Sequence, residues 1–184
     1  MPSPPFHLPP AAVAGWPLRR HLDLPSLLLA NLTIDIEPGI AMLFDLGDVP
    51  HGFAHTVAGG TLVGAITGLV LWGVKGLLES AFGDVYPLKA RVAMLSGAVG
   101  CWIHVLLDAV MYDYLQPFFP LETNPLYWPG SEDALHLIGV LLLVPALVLL
   151  VRARYWKTIP EKLTLGLLAL SGVAMGIYAA TGAV

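Results

Sequence analysis

His104 and Asp108 stand four residues apart inside an apolar run from Val92 to Met111. On a helix the two side chains leave one face, a turn apart. An ionisable pair inside a membrane-grade segment is costly and marks a candidate site. A neutral imidazole stacked on a carboxylate can share a divalent cation; it can also be a hydrogen-bonded polar pair between packed helices. The other histidines and carboxylates bear on that choice. His51 and His55 are again four apart, and share a face if residues 51–55 are helical. Asp35 and Glu37 place two carboxylates on a short stretch closed by Pro38, suited to holding a cation or orienting an attacking water. His7 stands in a proline-rich arm. His136 follows Glu132 and Asp133, where a role at a helix start is the simpler reading. His21 lies beside Arg19 and Arg20.

Imidazole and carboxylate donors without thiolates suit Zn²⁺, with Mn²⁺ as a further candidate, as one ion or two. The single cysteine, Cys101, provides neither an intramolecular disulfide nor a cysteine zinc site. The chain has no HExxH pair and no serine nucleophile elbow. A cation with an open position brings the pKa of its water to about 7, so metal-assisted hydrolysis is the natural reaction class for this residue set. Two neighbouring ions would suit a phosphoester. Arg19 and Arg20 could receive its phosphate by bidentate contacts, or simply anchor the chain at the membrane interface.

Membrane helices must position these groups. Of 184 residues, 57% are hydrophobic and 12% charged, with a mean hydropathy of +0.75; soluble domains carry about 25% charged residues. The chain reads as one all-α domain, an integral membrane protein, with no internal repeat and no nucleic-acid signature. Its first residues lack the basic start and apolar core of a signal peptide. Pro2, Pro4, Pro5, Pro9 and Pro10 argue against a long helix at the start and leave a short one from about Pro9 to Gly15. The apolar stretch Leu24 to Leu32 has nine residues, against about 20 for a span. Residues 1–54 therefore read as short helices in, or dipping into, the interface. Residues 55–184 read as a four-span bundle, with spans at about His55–Leu78, Val92–Tyr112, Ala134–Val151 and Leu163–Thr181. Gly60 and Gly64 would let a neighbouring helix approach closely.

Seven of the nine Lys and Arg residues flank or lie in loops 79–91 and 152–162 (Arg154 among them), and none lies in 113–133. The positive-inside bias puts the two basic loops in the cytoplasm, and the N-terminal segment, loop 113–133 and the C-terminus outside. Arg19 and Arg20 are exceptions. On this map all six histidines fall on the outer side with Asp35, Glu37 and the outer half of the second span, which carries Asp108.

Taken in order, His7, the run Asp35-Ile36-Glu37-Pro38, the run Gly52-Phe53-Ala54-His55-Thr56, and His104 with Asp108 resemble the motifs of YdjM-like membrane-bound metal-dependent hydrolases. That family shows an N-terminal His, an Asp-Ile-Asp-His-Pro run, a His-Arg-Gly-Phe-Thr-His-Ser run, and a His-x-x-x-Asp in a later apolar segment. Asn124 to Trp128 is similar to its proline and tryptophan loop, so the resemblance covers roughly residues 5–130. Here Glu37 stands for the second Asp, no His precedes Pro38, Pro50 stands for the first His of the third run, and His51 for its Arg. The family is grouped with zinc-dependent phospholipases C and single-strand nucleases. The resemblance therefore implies a helical metal phosphoesterase using His7, Asp35, His55, His104 and Asp108.

The expected function is metal-dependent hydrolysis at the outer membrane face, acting on a phosphoester or pyrophosphate of a membrane lipid or lipid-linked substrate. Asp35, His55, His104 and Asp108 would hold the metal, with His7 and His51 as further ligands and Asp35 or Glu37 orienting water. The rivals are a metal-binding or transporting protein without catalysis, and a structural subunit with a satisfied polar cluster. The inner halves of the spans are poor in polar residues, with Ser96 and Ser171 among glycines, which argues against an ion path.

Overall fold

The computed structural model describes residues 4–45, 51–82, 88–153, 157 and 159–181; Pro50 and Arg154 lie outside them. The described residues form seven α-helices and no strand: α1 Pro4–Gly15, α2 Leu24–Thr33, α3 Ile36–Phe44, α4 Val57–Phe82, α5 Ala90–Met111, α6 Glu132–Arg152 and α7 Ile159–Thr181. This is a helical bundle of membrane character, and α4 to α7 correspond to the four expected spans. Among the described residues, five stretches are long and apolar enough to cross a membrane, the fifth being Leu24–Phe44. The expectation of four spans missed this one because Pro38 and the charges at 35 and 37 look like a stop. Instead a two-residue turn at Ile34 and Asp35 separates α2 from α3, and Pro38 falls in the first turn of α3, where its missing N–H costs nothing.

The N-terminal arm also differs from expectation. The helix starts at Pro4 and carries Pro9 and Pro10 inside it. Pro9 removes the N–H that would bond the Pro5 carbonyl, and the Ser171 hydroxyl of α7 donates to that carbonyl instead, at 2.5 Å. Leu8, Ala11 and Ala12 are buried in one cluster with Leu27, Leu28 and Leu168. Residues 4–15 are thus packed into the bundle core.

The centre of the bundle is α4 against α5, packed antiparallel. Gly60 faces Cys101 and Val105, Gly64 faces Gly97, and Gly68 faces Ala93. A Cβ on Gly64 would run into the Gly97 backbone, so small residues are what bring the two helices this close. α2 packs against both helices and runs parallel to α5. The Asp23 N–H donates to the Ser96 hydroxyl at 2.7 Å, and the Asn31 amide donates to the Gly100 carbonyl at 3.1 Å. This register sets Asp35 beside His104 and sets residues 19–23 near the start of α5. Arg19, Arg20 and His21 therefore sit at the end of the bundle that carries Lys89 and Arg91, away from His104. The two apparent exceptions to the charge bias are removed, and the expectation that all six histidines share one side is corrected for His21.

At the other end, segment 113–133 folds back over the C-terminus of α5. Asn124 donates to the carbonyls of Ala109 and Tyr112, and Trp128 N–H and the Ser131 hydroxyl donate to the carbonyl of Val110. These bonds satisfy the last-turn carbonyls that a helix leaves open.

Candidate metal centre

Four elements deliver the donors. His104 and Asp108 project from α5 as their spacing predicts. Asp35 comes from the turn after α2, and His7 from α1. His51 and His55 come from the segment before α4. That segment is not α-helical as expected: residues 53–55 form a single 3-10 turn. The turn still brings both rings together, 4.5 Å apart between centroids.

Asp35, His55, His104 and Asp108 each turn one donor atom inward, all within 4.8 Å of one another. His55 Nε2 lies 3.5 Å from Asp35 Oδ1 and 3.5 Å from Asp108 Oδ2. His104 Nε2 lies 3.3 Å from Asp35 Oδ1 and 3.2 Å from Asp108 Oδ2. A tetrahedral cation with bonds near 2.1 Å has donor–donor edges of about 3.4 Å, so four edges of such a tetrahedron are already in place. None of these inward atoms has a hydrogen-bond partner, although all are buried. Buried polar groups are nearly always paired, and this many orphans facing one point are what a cation would satisfy. The residues fit a divalent metal. His7 and His51 flank the group through Asp108, with His7 Nε2 at 3.2 Å from Oδ1 and His51 Nε2 at 3.7 Å from Oδ2.

The outward ring nitrogens are held as ligand histidines require. His104 Nδ1 lies 2.8 Å from the Asn31 backbone carbonyl; a carbonyl only accepts, so Nδ1 carries a proton and Nε2 is the atom turned to the cluster. His55 Nδ1 lies 3.5 Å from Glu37 Oε2. His51 Nδ1 lies 2.7 Å from the Tyr114 hydroxyl. Burial, with His55 beside it, lowers His51 to about 4, so its ring is neutral at ordinary pH, the form that binds metals. Burial and the Asp108 charge raise the Tyr114 phenol to about 12, which keeps its O–H. Burial works against charge on His55, but the neighbouring Asp35 and Glu37 carboxylates outweigh this and raise its pKa.

Glu37 does not enter the cluster. Its carboxylate accepts from the N–H groups of Gly52 and Ala54 at 3.1 Å each, and backs His55 from behind. Arg19 and Arg20 are not brought to the site: Arg19 donates to the Trp16 carbonyl at 2.9 Å and lies over the Trp16 ring, and Arg20 is exposed at the basic end. His136 packs against Phe6 and Tyr178 instead of a ligand position. Two contributors went unread in the sequence. Asn31 serves His104 through its backbone carbonyl, so its polar type signals only the amide bond that docks α2 on Gly100. Tyr114 carries no such signal, because its approach to His51 depends on how segment 113–133 folds back.

The chain matches no family model, no curated protein and no solved structure.

Proposed function

We propose that this protein is a metal-dependent hydrolase working at the membrane surface on a phosphoester or pyrophosphate of a lipid-like substrate. The observation that carries the reading is the set of four buried, unsatisfied donors at tetrahedral spacing. The resemblance to YdjM-like hydrolases supports it, because every residue it singles out, from His7 to Asp108, lies in one cluster. Two imidazoles and two carboxylates suit Zn²⁺, with Mn²⁺ next. Bound there, the cation would act as a Lewis acid and bring the pKa of a water toward about 7.

The chain's own groups do the rest. Asp35, His55, His104 and Asp108 hold the cation; Glu37 and the Asn31 carbonyl fix the two rings. His51 lines a cavity of about 400 Å³ with Thr56, Tyr114 and Gln116. Its neutral ring turns a buried, unpaired Nε2 toward Asp108, where it would hold a water bound at the cluster. A second ion would rest on His7 and the shared Asp108 Oδ1, so the reading uses one. Towards the basic end, the Ser96 hydroxyl is taken by the Asp23 N–H and the Val92 carbonyl, and the Asn31 amide by the Gly100 carbonyl. Polar groups there are tied into helix packing, which favours hydrolysis over transport. The clustering of Lys and Arg at the opposite end favours a site on the outer face of a prokaryotic-type plasma membrane.

Asp108→Asn tests this reading. The variant keeps the side-chain shape and removes the charge that offsets a dication in a low-dielectric site. We expect a folded protein whose zinc affinity falls by more than about 100-fold, with hydrolysis of phospholipids and lipid pyrophosphates lost. Chelation should mimic the variant, and added Zn²⁺ or Mn²⁺ should restore only the parent. Retention of both metal and turnover by Asp108→Asn would overturn the assignment.

A further inference from the structure

We infer that the groove between α3 and α4 binds one hydrocarbon chain of a membrane lipid whose polar head lies at the metal centre; as a substrate site it rests on the hydrolase reading above. The groove has a volume of about 780 Å³ and is walled by Ile36 and Ile40 of α3 and by Leu62, Ile66 and Val70 of α4. Its hydroxyls are spent. Thr33 and Thr67 bond each other at 2.8 Å, and their oxygens also lie 3.2 Å and 2.9 Å from the carbonyls of Ala30 and Val63. The charged residue on the lining is Glu37, beside Ile34 and Ala54. Glu37 Oε2 lies 3.5 Å from His55 Nδ1, so this end of the groove adjoins the cluster.

Dimensions agree with a single chain. The α4 wall runs from Gly59 to Val70, which at 1.5 Å per residue is about 16 Å. Half of a hydrocarbon core of about 30 Å is about 15 Å, the depth reached by the chains of one leaflet. The groove starts in the first turns of the α4 span and ends towards its middle. An apolar groove at this depth, ending beside a cluster of imidazoles and carboxylates, matches a molecule with a hydrocarbon tail and a phosphorylated head. A lipid would enter sideways from the bilayer, with its chain never exposed to water.

The test is a phosphatidic acid carrying a photoreactive diazirine in mid-chain, incorporated into vesicles with the full-length protein. Labelled peptides should map to 36–41 and 59–70. Ile66→Trp, which fills the groove, should reduce this labelling by about tenfold, given the transfer free energy of the methylenes displaced. It should leave labelling of the outward faces of α6 and metal content unchanged. On a hydrolysed lipid, the same variant should raise KM by about tenfold or more while a short-chain analogue is cleaved normally. Labelling needs no turnover, so the two readings separate. A labelled groove in a protein that hydrolyses nothing would sink the hydrolase reading alone. Labelling spread evenly over α6 and α7, or cross-links joining α3 to a second copy of the chain, would overturn the lipid groove even if turnover is intact.

Discussion

Glu37 ties α3 to the turn that carries His55, and its position separates two roles that its charge alone does not. As a positioning residue it holds Gly52 and Ala54 by their N–H groups and backs Nδ1 of His55. Glu37→Gln should therefore weaken zinc affinity by about 10–100-fold, the usual cost of losing an outer partner of a ligand histidine, with kcat recovering at saturating zinc. A competition titration against a chelator, with kcat measured in parallel, checks this. Unchanged affinity with abolished kcat would instead make Glu37 a base acting on water. At this scale the four clustered residues were legible in the sequence because imidazole and carboxylate in apolar surroundings have few other uses. His104 and Asp108 were legible also in geometry, since a helix fixes their spacing. The duty of Glu37 was not, because it depends on the 51–55 segment adopting a 3-10 turn against α3, a tertiary contact that no local pattern encodes.

Among the elements, the α4–α5 seam sets the precision of the site, since His104 and Asp108 lie on one helix and His55 at the head of the other. Gly64→Leu would drive a side chain into the Gly97 backbone and should destabilise the protein by at least about 3 kcal/mol, as overpacking of a close contact does. Gly73, on the same helix, has nothing within 4 Å of a built Cβ, and Gly73→Ala should be neutral or slightly stabilising. Thermal unfolding in detergent, with metal content, separates the two. The four long spans were legible from hydropathy, and Gly60 and Gly64 from their spacing. α1 was misread because its prolines are unfavourable by local rules. The Ser171 hydroxyl, far along the chain, supplies the Pro5 carbonyl with the partner that those rules count as lost. The α2–α3 stretch was missed for a related reason, since a proline in a first turn reads from sequence like a proline that ends a helix.

For the molecule as a whole, the division of charge is sharper than the sequence suggested. Arg19 and Arg20 join the basic end, while the cluster end exposes Phe53, Phe119, Tyr127 and Trp128, aromatic side chains of the kind that settle at a membrane interface. A cysteine at Thr123 in a Cys101→Ser background should react with an impermeant thiol reagent in intact cells. A cysteine at Leu18, exposed beside Arg19, should react only after lysis. The reverse pattern would turn the protein over and put the metal centre on the cytoplasmic face. Cys101 itself is buried, so the parent protein should stay silent in both conditions.

The four donor atoms that face one another come from the turn after α2, from the turn before α4 and from the last turns of α5, with His7 of α1 set against Asp108. A cation shared among them would act as a cross-link, closing several chain loops at a single point. Loop closure by a bound ion removes freedom from the unfolded chain as a covalent bridge does. Binding and final assembly would then be one event, because no donor pair within a single helix completes the set. During synthesis the centre would stay open until α5 has entered the membrane, and α1, emerging first, would wait for α7 before the Pro5 carbonyl finds its partner.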